Sequence, residues 1–349
     1  MKSKYTFVYN EHIEGLLDSV LQKMATQISG SDVCSQVDFV VFGGGYGRGE
    51  GGILRTQTDD KLYNDLDFFV LAKDTATTAD MAKIDEFFAN LSKEFEPLVE
   101  VDVDFSKAVK VSYAKTRLNI MSWREMALGG NVVFGSQQQF DKVFQLNSDK
   151  TDVLFSEIVK LAMNRVSGLV FARERLLKCA NLSDSDCDFI ARNINKALLA
   201  SGDILLWTTG NLPFKTASRL AELKTLSTEQ PQWTELANVY ERAVEFKKFP
   251  NIKFGREDFE KNLSQAVEIL KKAYEHFANA SKPDASFLRR LKDFVLLLKL
   301  RKYFSKIECV SLGNPRQTLI FTAFSLLEDK ANLSEEKIST YKEIWKRLA

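Results

Sequence analysis

The sequence predicts an α+β chain, with strands confined to the first 140 or so residues and helices alone thereafter, on three observations. Between Val37 and Val70 two apolar runs flank a cluster of glycines, in the order strand, loop, strand. The segment Val99 to Phe105 alternates apolar and acidic residues with a period of two, the pattern of a half-buried strand. From Thr151 onward apolar residues recur at steps of three and four, the spacing of helices that bury one face.

The 349 residues, 45% hydrophobic, suffice for two cores, read as domains 1–140 and 151–349. A net charge of +1 removes the electrostatic argument for nucleic acid as the main partner. The 26 Phe and 6 Pro describe a packed chain, not a disordered one. Cys34, Cys179, Cys187 and Cys309 are scattered, with only His12 and His276 to accompany them. That set fits zinc poorly and reads as free thiols of a reducing compartment. The N-terminus has no long apolar run, and no run of membrane length occurs anywhere, so the expected location is cytoplasmic, without a membrane partner.

In order, Ile13, Leu16, Leu17, Val20, Leu21 and Met24 place a helix over 11–29. Phe39 to Phe42 is the first strand, followed by the glycine loop, a hairpin or insertion, and a strand through Asp65 and Asp67. Ile84, Phe87, Phe88 and Leu91 predict a helix over 81–95. On the Val99–Phe105 strand, Glu100, Asp102 and Asp104 fall on one face. Gly129-Gly130-Asn131 ends a short helix, Val132 to Phe134 is extended, and Gly135 to Lys150 reads as a linker. Helices then follow at 151–176, capped by Thr151 and Asp152, and at 185–207, capped by Ser185. Further helical spacing occupies 215–226, 233–246, 256–280, 286–304, 317–327 and 334–348.

The chemistry concentrates between Val37 and Val70. Asp65 and Asp67 share one strand face, and two carboxylates side by side repel unless a cation lies between them. Hard oxygen donors at that spacing suit Mg²⁺, which prefers one or two carboxylates plus the phosphates of a substrate. The glycines upstream let successive backbone N–H groups turn inward around an anion. Arg48, set among them, reads as a phosphate clamp because its planar fork matches phosphate oxygens, and Glu50 as the group that orients it.

Gly44-Gly45-Tyr46-Gly47-Arg48-Gly49-Glu50, followed by Asn64-Asp65-Leu66-Asp67-Phe68, resembles the glycine loop and Asp-x-Asp signature of the DNA polymerase β-like nucleotidyltransferase superfamily, in particular its small bacterial branch. The likeness covers roughly the first 140 residues. It departs in having Gly45 where the family usually has serine, and in the inserted residues Ile53 to Tyr63. The resemblance implies a core of mixed sheet with flanking helices, backed by a helical bundle. It implies two Mg²⁺ ions and an NTP substrate, with ATP the expected one, bound by Gly44, Gly45 and Arg48. Asp65 and Asp67 become metal ligands, and the family's third carboxylate falls on Asp102 or Asp104, with Asp104 favoured by its place before Phe105-Ser106. Lys196 shares a helix face with Ala200 and Asp203, so it stands as a phosphate or acceptor contact, against a plain solvated face.

The expected activity is transfer of a nucleoside monophosphate to an acceptor hydroxyl with loss of pyrophosphate, the acceptor being a small molecule or protein in preference to nucleic acid. The alternative is a non-catalytic nucleotide sensor on the same fold. An RNase of the kind that accompanies such nucleotidyltransferases is disfavoured, because Lys271 stands where an arginine would precede His276.

Overall fold

The computed structural model describes residues 3–145, 153–179, 181–280, 287–307, 314–329 and 333–348. They divide into two compact units.

The first comprises Met1–Val153 together with Pro213–Thr216 and Glu245–Pro250. It begins with α1 (Glu11–Ser29), whose N-cap Asn10 accepts the N–H of Ile13 and so satisfies one of the donors a helix start leaves open. Then follow β1 (Val37–Phe42), the single turn α2 (Gly44–Gly47), the pair β2 (Ile53–Arg55) and β3 (Asp60–Leu62), and β4 (Leu66–Ala72). Next come α3 (Thr78–Val99), started by a reciprocal Thr77–Asp80 capping box, and the short strands β5 (Val103–Phe105) and β6 (Val109–Lys110). The unit continues with α4 (Val111–Lys115), α5 (Met121–Gly129), β7 (Asn131–Phe134) and α6 (Gln137–Val143).

The sheet is mixed, in the order β5-β4-β1-β7, with β6 also beside β4. β1 runs antiparallel to β4 and β7, while β5 and β6 run parallel to β4. Strand periodicity sorts β1 and β4 between two cores. Val40, Phe42, Phe68 and Val70 face α1 and α3, where they meet Leu17, Met24, Phe88 and Phe95. Phe39, Val41 and Leu71 face the other way, toward Val111, Met126, Phe140 and Phe144 of the region from α4 through α6. Phe68 stacks between Phe42 and Phe105, at centroid separations of 4.9 and 4.7 Å. Each such buried ring contributes about 1.5–3 kcal/mol by leaving water.

Several sequence expectations change here. The strand expected over Val99–Phe105 is only Val103–Phe105, because α3 continues through Val99 and closes on Glu100 in the left-handed region at φ 55°. Glu100 therefore leaves the acidic row and pairs with Lys61 on β3, at 2.6 Å. The expected linker contains α6, which buries Phe140 and is followed by buried Phe144; its remainder, 146–150, lies outside the described residues.

The second unit is helical: α7 (Phe155–Lys178), α8 (Asp184–Thr208), α9 (Thr216–Glu229), α10 (Thr234–Lys248), α11 (Arg256–Ala280), α12 (Phe287–Phe304), α13 (Pro315–Glu328) and α14 (Glu335–Leu348). Thr216 and the last turn of α10 belong to the first unit. α8 packs against α7 and α11, and α7 also packs against α13. The cap of α8 is Ser183, in a box with Asp186, in place of the expected Ser185; the expected caps Thr151 and Asp152 lie outside the described residues. Among the described residues, no helix is long and apolar enough to cross a membrane. Cys34, Cys179 and Cys187 are free, and Cys309 lies outside the described residues.

Candidate functional site

The parallel pairing of β4 with β5 brings the acidic residues together. Asp67 stands opposite Asp104 in the ladder, between the pairs Leu66–Val103 and Phe68–Phe105. Asp65 lies one residue before β4, and the N–H of Leu66 donates to the carbonyl of Asp102 at 2.9 Å. Side-chain alternation puts Asp65 with Asp67, and Asp102 with Asp104, so the four acids form a patch two residues long and two strands wide. The register is pinned beyond the patch by Ser106, whose N–H donates to the carbonyl of Phe68 at 2.8 Å and whose Oγ accepts the N–H of Val70 at 3.1 Å.

Farther along this face of β4, Phe69 lies against Trp123 of α5 and Leu71 is buried. At Asp67 the cover is instead the start of the glycine loop. The N–H of Gly43 donates to the carbonyl of Asp67 at 2.8 Å, and the Asp67 carboxylate lies so close over Gly44 that a Cβ there would overlap it. Gly44 is also left-handed, at φ 59°, a conformation glycine adopts without steric cost. Loop and acids are thus one site by direct contact.

The rest of the glycine run serves packing. Buried Tyr46 lies against Gly51, donates its hydroxyl to the carbonyl of Gly52 at 2.6 Å, and accepts the N–H of Tyr63 at 2.9 Å. Burial pushes its phenol up to about 12.

Asp104 titrates above the ordinary aspartate range, first because of partial burial and then because Asp65, Asp102 and Glu96 surround it with like charge. A divalent cation among these carboxylates would relieve that repulsion, and their oxygens are of the hard type Mg²⁺ prefers, so the donor chemistry is compatible with the ion. As they stand, no three His, Cys, Asp or Glu side chains among the described residues converge into a finished cation cage.

Arg48 is placed differently from the expected phosphate clamp. Its side chain is 14% exposed, with Nη1 at 2.5 Å from Glu125 and Nε at 3.8 Å from Glu50. Glu50, 3% exposed, accepts the backbone N–H and the hydroxyl of Thr216, both at 2.7 Å, and lies 3.3 Å from the ammonium of Lys247. Burial alone would raise the Glu50 carboxyl; Lys247, Arg48 and Thr216 hold it below its usual range. Lys215 donates to the backbone carbonyl of Arg48. Thr216, Lys215, Lys247 and Glu125 escaped the sequence reading, since no spacing rule links position 50 to 125, 216 or 247.

Lys196 is an exposed residue of α8 and belongs to the second unit, not the one that holds the other candidates. The residues expected to share its cleft face are buried: Ala200 lies in the core, and Asp203 binds Arg219 at 2.9 Å and the hydroxyl of Tyr240 at 3.1 Å. Compared with protein-family models and with curated proteins, the chain matches none.

Proposed function

We propose that the first unit is a nucleotidyltransferase domain, moving a nucleoside monophosphate from an NTP, with ATP the first candidate, to an acceptor hydroxyl with release of pyrophosphate. One observation carries the reading: Asp67 is paired in register with Asp104 while its carboxylate rests on Gly44, so an acidic patch and an anion-cradling loop meet at one point.

The loop's backbone at Gly44 and Gly45 would take the triphosphate, and Asp65, Asp67 and Asp104 would hold Mg²⁺. Bound there, the ions supply charge neutralisation of the phosphates and acidify the attacking hydroxyl. The protein's own share is position: β4 and β5 fix the carboxylates by their ladder, and the loop fixes the phosphates against them. With no histidine near the acids in sequence, Asp104 would also receive the proton of the acceptor hydroxyl at its carboxylate. The proposed setting is the cytoplasm, and the proposed acceptor a small molecule or protein.

A sensor that binds nucleotide without transfer is the second reading, favoured by the engagement of Arg48 with Glu125 and by Gly45 in the place of a hydroxyl donor. Incubation of the full chain with each α-labelled NTP and Mg²⁺, scored for label on itself or on lysate components, separates the two. Transfer that Asp67→Asn abolishes supports the enzyme. Binding that Mg²⁺ strengthens at least about tenfold, equivalent to about 1.4 kcal/mol, without transfer supports the sensor, and the absence of both overturns the site.

A further inference from the structure

The glycine loop is held at two ends by different means. At its start the hold is local, Gly43 on the carbonyl of Asp67. At its end it is remote: Glu50 is buried and has all its strong partners in residues 213–216 and 245–250, apart from the flanking Arg48. Lys247 contributes twice, by its ammonium at 3.3 Å from Glu50 and by its backbone carbonyl, which lies against Gly52 so closely that a Cβ there would overlap it. The same ammonium is 3.4 Å from the Thr216 hydroxyl. A buried carboxylate deprived of such partners carries a large desolvation penalty, and the loop's own cation, Arg48, stands farther off, with its Nε at 3.8 Å.

We infer that Glu50, Thr216 and Lys247 form a latch that sets the shape of the glycine loop, with Glu50 a positioning residue for phosphate binding. The phosphate part rests on the function proposed above; the latch itself does not. Glu50 acts at the far end of the loop from the acids, through the turn it anchors: its own N–H donates to the carbonyl of Gly45 at 2.8 Å, coupling the latch to the segment that rests on Asp67. The first unit is accordingly discontinuous in sequence, and its glycine loop takes its final form only when residues 213–216 and 245–250 have joined it.

The test uses the full chain and two readouts: amide hydrogen exchange at Gly47, Gly49, Glu50 and Gly51, and Mg·ATP affinity by calorimetry. Glu50→Gln keeps the shape and removes the charge, and Thr216→Val keeps the size and removes the hydroxyl. Each is expected to speed loop exchange about tenfold, with exchange in α1 and β1 unchanged, as for a local opening. Mg·ATP affinity should fall about fivefold or more in each variant, and the double variant should be no worse than Glu50→Gln alone, since the two share one interaction. Lys247→Arg should keep the loop protected where Lys247→Met does not. Should Glu50→Gln fail to fold, Thr216→Val decides. Unchanged loop exchange in the variants, or a uniform rise across the whole unit, overturns the latch. Faster loop exchange in a protein whose unaltered form binds no Mg·ATP leaves the latch standing and removes the proposed function.

Discussion

Gly44→Ala probes the junction of loop and acids. Two costs are readable at this position. The backbone is left-handed, at φ 59°, which for a residue with a Cβ costs about 1–2 kcal/mol. The new methyl would also overlap the Asp67 carboxylate, forcing that side chain to turn away, at about a further 1 kcal/mol for an off-rotamer position. The sum is about 2–3 kcal/mol, measured by urea denaturation as a lower midpoint at unchanged slope. The two costs separate in a double-mutant cycle with Asp67→Ala, which deletes the carboxylate: in that background Gly44→Ala should lose only the backbone part, leaving a coupling of about 1 kcal/mol. Mg·ATP binding should fall with Gly44→Ala in the otherwise natural chain, because the displaced carboxylate is the proposed metal ligand. Equal destabilisation in both backgrounds would refute the claim that loop and carboxylate touch.

Arg48→Ala should cost about 1–3 kcal/mol of stability, since it strips partners from half-buried Glu125 and from buried Glu50; a change under about 0.5 kcal/mol in thermal unfolding, as for an exposed residue, would return Arg48 to the loop surface. Asp104→Asn should stabilise the metal-free protein at pH 7 by about 0.5 kcal/mol. The sign follows from the raised folded-state value: ionised Asp104 weakens the fold above that value, and below its ordinary 3.8 the carboxyl is neutral in both states, so the advantage should vanish in acid. An advantage that persists in acid would trace to something other than charge. Tyr46→Phe should cost about 1–3 kcal/mol by leaving the N–H of Tyr63 and the carbonyl of Gly52 without their shared partner, read by chemical denaturation; a neutral outcome would mean that water replaces the hydroxyl.

What the sequence alone determined was what local chemistry dictates. The two apolar runs that flank the glycine cluster, and the helical spacing after residue 151, correspond to elements in the structure, because a segment's own apolar pattern decides which faces it can bury. The α+β class follows from that. The facing of Asp65 and Asp67 likewise follows from strand alternation.

Only the tertiary structure decided the rest. The sequence favoured Asp104 over Asp102 on its position alone; the β4–β5 register is what sets Asp104 opposite Asp67, and register depends on a partner strand more than thirty residues away. Glu100 alternates with its neighbours like a strand residue, yet α3 runs up to it and closes on it in the left-handed region, because helix ends are set by packing and capping as well as by pattern. Arg48, Glu125, Glu50, Thr216 and Lys247 make one buried network from four distant stretches of chain. Buried ion pairs form between whichever groups the fold brings within reach, and their energy depends on distance in space and on lost hydration, neither of which is written in sequence separation.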